Sequence, residues 1–453
     1  MPRAWADRRV ALGAIALLAL ALRLAGIGDR LSADEGYSWL VASAGSADAF
    51  LDRLAAYENT PPLFYALLAA LPLDDEAWLR VPSLVASVAA VGVLYAIVRP
   101  LLGTPAALLA ALGLAVAPYH VSFANYSRAF MLAGLGLLLA AWAAARLVQG
   151  SRRRWWWLYA SGAVLALYAE YDAALFLAAL AGALLWIGTP PRREVALFAA
   201  LPVLGLAPWA GQVARALDAL DETKVAPVYP SASPGALRDV VTALAFGEHG
   251  SAGIVSLRWL QFLAVTAVVG GSLWLLWRGE GVQRTAARLL GGTVAGALVL
   301  HGLAAVVGPD VFAQRYLTTL IPLAVALGAG GVAALRWRPA APLAAAALVA
   351  AGVVVFAERS GRELEPDPAP LRAAVTAARP AEVLTNSATI AFHLRHLPVT
   401  LDRPFGLDPG EELGCAAPCV IVDDTRVAGG ARPGPGARRR VGPFVVRVAR
   451  RPT

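Results

Sequence analysis

The sequence predicts an α-helical polytopic membrane protein that ends in a small α/β domain. Three observations carry this expectation. Of the 453 residues, 58% are hydrophobic and only 15% charged, with a mean hydropathy of +0.61; a soluble chain is nearer half apolar and a quarter charged. Apolar stretches long enough to span a bilayer recur along the first 357 residues. From residue 358 onward the composition shifts toward Pro, Gly and charge, and short strand-like runs replace the long apolar ones.

A membrane helix needs roughly 20 apolar residues, within a range of about 17 to 25. Stretches of about that length lie at 9–27, 80–98, 104–119, 127–147, 155–170, 172–188, 195–213, 259–277, 287–307, 315–334 and 340–357, which makes about 11 spans. The first reads as a retained span, because no small-residue cleavage site clearly follows it. The stretch 61–73, "PPLFYALLAALPL", is apolar but short and bounded by prolines, so it is expected at the interface without crossing. Arg23, near the end of the first span, is expected to reach the headgroups with no further role.

Arg placement orients these spans. With a cytoplasmic N-terminus, the inner loops 1–9, 99–103, 146–154, 189–194, 278–288 and 336–338 hold 15 Arg in 43 residues. The outer segments 28–80, 120–128, 170–172, 214–258 and 308–315 hold nine Arg or Lys in 118 residues. That asymmetry follows the positive-inside rule. The net charge of +8 is spread over many short loops and is almost all Arg, with Lys224 the single Lys, so it does not point to nucleic acid. Acidic residues sort oppositely, three in the inner loops and 17 in the outer segments. A solvated outer face is one cause of that gathering, and an active site at the outer membrane boundary is the other.

The predicted domains are therefore a transmembrane catalytic domain over 1–357, with outer loops 28–79 and 214–258, and an extracytoplasmic α/β domain over 358–453. In the latter, "AEVLTN", "CVIVDD" and "PFVVRVA" read as strands, with helices near 369–379 and 387–395. Cys415 and Cys419, the two cysteines of the chain, fall on the oxidising side, where a disulfide and two thiols are both open.

Five outer segments present polar groups where helices end: Asp34-Glu35 in "LSADEGYSWL", Glu58-Asn59 in "YENTPPLFY", Asn125, Tyr126 and Arg128 in "FANYSRAF", Glu170 and Asp172 in "AEYD", and Asp310, Gln314, Arg315 and Tyr316 in "DVFAQRYL". The loop 214–258 adds Lys224, Glu248 and His249. Adjacent helical residues diverge by about 100°, so at most one of Asp34 and Glu35 faces a common site. A rim of carboxylates with isolated cations suits group transfer from a lipid phosphate: a carboxylate takes a proton from the attacking hydroxyl, and Arg forks onto the phosphate being expelled. The membrane supplies such a donor, so no nucleotide loop is needed, and neither a Walker-type loop nor a GxGxxG follows a strand. There is no HExxH or paired CxxC signature, so the sequence names no metal ligands; the cofactor stays open, a divalent cation included.

The order of these motifs resembles that of bacterial GT-C glycosyltransferases, the broad group of protein O-mannosyltransferases and aminoarabinose transferases. A first span is followed by "DEGYS", "ENTPPLFYALL" and "RVPSLVASVAAVGVLYAIVRPLLG", then "NYSRAFML", "YAEYDAALFL" and "RYLTTLIPL"; the resemblance covers about residues 9–335. It implies the GT-C fold, a polyprenyl-phosphate sugar donor, an extracytoplasmic acceptor (protein, lipid or glycan), and transfer with inversion at the anomeric carbon. It implies Asp34 as the base or acceptor-orienting group; Glu35 and Glu58, from the same outer loop, are further candidate acids. Arg128 and Arg315, then Lys224, are the expected donor-phosphate contacts. Asn59, Tyr126 and Glu170 stand where the group often has a His or Lys, an acid and a His, which leaves any metal site open. A lipid-linked-sugar transporter or flippase is the alternative class. It predicts charges near the bilayer midplane and internal repeats; no repeat is visible, and His301 is the main ionisable oddity within a span.

Overall fold

A computed structural model describes residues 2–58, 60–150, 153–214, 233–246, 255–307, 315–335, 339–360, 368–378, 380, 382–385, 388–397, 399–401, 419–424, 437–441 and 444–449. The chain divides into two compact units. One comprises Met1–Ile27, Thr60–Phe64 and Arg80–Gly361; the other comprises Gly28–Asn59, Tyr65–Leu79 and Arg362–Thr453.

The first unit is helical. Its helices include α1 (Pro2–Leu24), and every stretch predicted as a span lies on a helix. Six helices among the described residues are long and apolar enough to cross a membrane: Glu76–Val116, Phe130–Leu147, Arg192–Ala214, Gln261–Arg278, Val282–Val306 and Tyr316–Ala334. Ala173–Ile187 and Ala340–Val354 are shorter apolar helices. The chain is a multi-pass membrane protein. The expected spans 80–98 and 104–119 share the stretch Glu76–Val116 as two helical halves, parted where the chain turns at Gly103 with φ 85° and ψ 172°, a left-handed conformation that glycine adopts without strain.

Arg23 corrects an expectation. It does not reach the headgroups; it is fully buried. Its guanidinium donates from Nε to Ser87 Oγ at 2.7 Å, from Nη1 to the Ala19 and Ala115 carbonyls at 2.8 and 2.9 Å, and from Nη2 to Leu114 O at 3.4 Å. Nη2 also lies 2.9 Å from His120 Nδ1. A guanidinium only donates, so Nδ1 is the acceptor and the imidazole carries its proton on Nε2. Leu114 and Ala115 close the long helix ending at Val116, where backbone carbonyls concentrate partial negative charge. The cation is held by a helix end rather than by water.

The second unit joins the segment after the first helix to the C-terminal tail. Helices α2 (Ala33–Ala42) and α3 (Ala47–Tyr57) come from the former. The tail supplies a five-stranded sheet ordered β2-β1-β3-β5-β4: β1 Glu382–Thr385, β2 Val399–Leu401, β3 Cys419–Asp424, β4 Ala437–Val441 and β5 Phe444–Ala449. β1 runs parallel to β2 and β3, while β5 runs antiparallel to β3 and β4. The period of two buries Val420 and Val422 on β3 and Phe444 and Val446 on β5. Leu371 and Val375, one helical turn apart on Ala369–Ala377, close that core.

The three predicted strands are present, and the helices Ala369–Ala377 and Ala388–His393 match the predicted pair. β2 and β4 are additions. Both are edge strands; β2 has three residues, and β4 carries Arg438, Arg439 and Arg440 in succession. Charge suits an exposed edge, and it conceals the strand from a reading based on apolar alternation.

Candidate active site

The second unit gathers the acids of the first loop. Ser32 caps α2: its Oγ accepts from Glu35 N at 3.4 Å, and its N–H donates to Glu35 Oε2 at 2.9 Å. This is the reciprocal S-x-x-E capping box, whose signal is legible in "SADE". It engages the buried Glu35 carboxylate in starting the helix. Asp34, its neighbour in the first turn, is half-buried.

Tyr37 lies three residues after Asp34, the spacing that puts two side chains on one helix face. Its ring stacks on Tyr57 with centroids 6.1 Å apart and planes 26° apart. Glu58 follows Tyr57 as the C-cap of α3 and is buried. Burial first, then the negative charges of Asp34 and Glu58, push the Tyr37 phenol up to about 12. Asp34, Tyr37, Tyr57 and Glu58 are thus one cluster. The two tyrosines were not among the sequence candidates, although the i, i+3 spacing from Asp34 was there to read.

The same unit shows what seats α2. Gly36 meets the helix Ala388–His393 so closely that an added Cβ would lie 2.5 Å from Thr389 N and 2.8 Å from Ala388 C. Thr389 Oγ1 donates to Ser32 O at 2.9 Å. Leu31, Leu79 and Phe392 form a small core beside Trp39, whose indole donates to Leu73 O at 3.2 Å.

The first unit gathers the other candidates. Asn125 is buried at the end of the short helix Pro118–Ala124. Tyr126, Ser127 and Arg128 form the turn before Phe130–Leu147, closed by Arg128 N donating to Tyr126 O at 2.8 Å and by Ser83 Oγ donating to Arg128 O at 3.0 Å. Rings of Phe123, Tyr126 and Phe130 pack edge-on, and Phe130 meets Tyr316 at 6.1 Å. Tyr316 opens the 3₁₀ turn Tyr316–Leu320 after Arg315, within electrostatic reach of Arg315, Glu170, Asp172 and Arg128.

Glu170 is the buried C-cap of the helix Arg154–Ala169, its N–H donating to Ala166 O at 2.8 Å, and Asp172 precedes Ala173–Ile187. His301 Nε2 lies 3.9 Å from Asp172 Oδ2, and His301 Nδ1 lies 2.8 Å from Ala297 O. Among the described residues, Asn125 Oδ1 and His301 Nε2 are buried polar atoms that make no hydrogen bond. Such atoms call for a ligand or water partner. Two cations, two carboxylates and a phenol therefore converge in this unit, from three chain segments.

Asn59, Lys224, Glu248, His249, Asp310, Gln314 and Cys415 lie outside the described residues. Cys419 opens β3. Among the described residues, no group of three or more His, Cys, Asp or Glu is placed to hold a metal ion.

Known proteins were compared with this architecture. The family described as dolichyl-phosphate-mannose-protein mannosyltransferase matches residues 60–210. ArnT from Cupriavidus metallidurans, in a crystal structure bound to undecaprenyl phosphate, superposes with a TM-score of 0.65 at 14% identity, covering 97% of each chain. The chain has the GT-C fold. AglB, an archaeal oligosaccharyltransferase from Archaeoglobus fulgidus solved with an inhibitory peptide and a dolichol-phosphate, superposes with a TM-score of 0.56 at 14% identity, over 86% of this chain and 64% of that longer one. No curated protein sequence matches the chain significantly. The GT-C fold is what these likenesses establish; residue roles rest on the geometry above.

Proposed function

We propose that this chain is an integral membrane glycosyltransferase that moves a sugar from a polyprenyl-phosphate donor to an extracytoplasmic hydroxyl acceptor. The observation that carries the reading is the division of labour between neighbouring acids. Glu35 caps α2, while Asp34 sits in the Tyr37–Glu58 cluster, half-buried where a carboxylate can exchange a proton. The family match and the GT-C fold support the same class.

In this mechanism the acceptor oxygen attacks the anomeric carbon and its proton passes to Asp34. The bond from that carbon to the phosphate oxygen breaks, and the electron pair leaves on polyprenyl phosphate. Attack opposite the leaving group inverts the centre. Glu58 and Tyr37 are the neighbours of Asp34 in that cluster. Arg128 and Arg315 take the phosphate, where forked donors match the charge that develops; Lys224 is a third candidate for that role. Glu170 and Asp172 are proposed to balance the charge of the two guanidiniums, with Asn125, Tyr126 and Tyr316 as further polar contacts. Asn59 is proposed to orient the acceptor. A general base is worth about 10²–10⁴-fold in rate.

The test is turnover by purified full-length protein in detergent, supplied with a polyprenyl-phosphate sugar and a hydroxyl acceptor. Release of polyprenyl phosphate with formation of a glycoside is the expected result. A protein that binds the donor yet never cleaves it would instead fit a carrier for lipid-linked sugars, because detergent leaves no second compartment to fill.

A further inference from the structure

A second site lies at the opposite end of the helix Phe130–Leu147 from Arg128. That helix has 18 residues, which at 1.5 Å per residue is about 27 Å. At its C-terminal end a cavity of about 440 Å³ is lined by Tyr95, Ala96, Arg99, Pro100, Trp142, Arg146 and Trp155. Beside it lie the turn containing Gly103 and residues 148–150, which follow Leu147. Gln149 Nε2 ties them together by donating to Pro100 O at 3.2 Å.

The lining is specific in its chemistry. Trp142 and Trp155 meet edge-on at 5.5 Å, and the Arg146 guanidinium carbon sits 5.2 Å from the Trp155 ring centroid. Arg146 Nε is a buried donor that makes no hydrogen bond among the described residues. The cavity's own side chains supply two guanidiniums, a phenol and two indoles, and no carboxylate. Arg154 lies 5.7 Å from the Trp155 ring as well.

We infer that this cavity binds the phosphate headgroup of an anionic membrane lipid. A guanidinium fork matches two phosphate oxygens. Tryptophan favours the headgroup level, where one edge is apolar and the other wet, and basic pockets between membrane helices are suited to anionic headgroups. The volume falls in the range of small-molecule sites, roughly 300–1,000 Å³. The positive-inside pattern puts both turns on the cytoplasmic face, so the lipid belongs to that leaflet. Its phosphate comes either from a bulk phospholipid or from a polyprenyl phosphate. Nothing in this inference depends on the transfer reaction.

The experiment uses the full chain, delipidated in detergent and titrated separately with phosphatidylglycerol, phosphatidylcholine and undecaprenyl phosphate, with bound lipid counted by native mass spectrometry. Wild type is expected to hold one phosphate lipid that Arg99→Gln/Arg146→Gln holds at least tenfold more weakly, while phosphatidylcholine binds both alike. If phosphatidylglycerol shows that loss, the bulk bilayer is the source; if only undecaprenyl phosphate shows it, the polyprenyl pool is. Ala96→Glu, which puts a negative charge among the lining residues and keeps both arginines, is expected to weaken the same lipid and serves if the double variant does not fold. Retention of both anionic lipids unchanged by either variant overturns the site.

Discussion

At the scale of single residues, the first turn of α2 gives Asp34 and Glu35 different partners. "LSADEGYSWL" stood out for two adjacent acids, and helical geometry required them to diverge. Which acid turns which way depends on Ser32, whose capping box takes Glu35, and the partnership with Tyr37 depends on α3 returning Tyr57 and Glu58. That second dependence is tertiary and cannot be read locally. It makes a spectroscopic prediction. The Tyr37 phenol stands at about 12 against an ordinary value of 10, so between those values the folded state keeps a proton that the unfolded state has lost. Whatever stability the neutral phenol contributes is complete below pH 10 and declines as pH climbs toward 12. Tyrosine-labelled NMR titration should show, among the late-titrating rings, one that Tyr37→Phe removes and that Asp34→Asn moves to lower pH. A ring indifferent to Asp34→Asn would dissolve the cluster.

Arg23 shows the opposite limit of local reading. A lone Arg near the end of an apolar stretch fits snorkelling, but its acceptors at Ser87, Leu114, Ala115 and His120 lie far along the chain. Hydrogen bonds to a charged group are each worth about 1.5–3 kcal/mol net. Arg23→Met should therefore lower the detergent melting temperature sharply, by an amount matching on the order of 3 kcal/mol or more. A change within the scatter of wild type would return Arg23 to the headgroup role.

At the scale of elements, long apolar runs located the membrane helices and alternation located the three interior strands, while α2, α3 and Pro234–Phe246 lie in stretches that read as outer loops. What it missed is explained by position: β2 is short, β4 is a charged edge, and the turn at Gly103 hides inside one continuous apolar run. The contact between α2 and the helix Ala388–His393 joins residues 357 positions apart at Ser32 and Thr389, beyond any sequence window. It gives the glycine of "DEGYS" a physical reason, since Gly36 has backbone against it where a methyl would sit. Overpacking of this kind costs typically about 1–3 kcal/mol. Gly36→Ala is expected to shift α2 and cut transfer at least tenfold with donor affinity kept, while Thr389→Ser, which keeps the hydroxyl, stays near wild type. Equal, full activity in Gly36→Ala would show that the seat of α2 does not matter to the chemistry.

At the scale of the whole molecule, composition and Arg placement were enough to read a multi-pass protein with a small mixed tail, and motif order was enough to point to the GT-C fold. Neither reaches chemistry, because the fold fixes where helices end and the reaction depends on which polar side chains those ends carry. The charge asymmetry predicts a testable orientation. Cysteines placed at 151, beside Arg152, Arg153 and Arg154 in the sequence, should label only from the cytosol, and at 45, between α2 and α3, only from outside. The account as a whole rests on Asp34 receiving the acceptor's proton. Its most direct measurement is detergent turnover of a polyprenyl-phosphate sugar by wild type and by Asp34→Asn at equal folded concentration. The account predicts a loss of about 10²–10⁴-fold with donor binding and membrane insertion retained; turnover within a fewfold of wild type would contradict it.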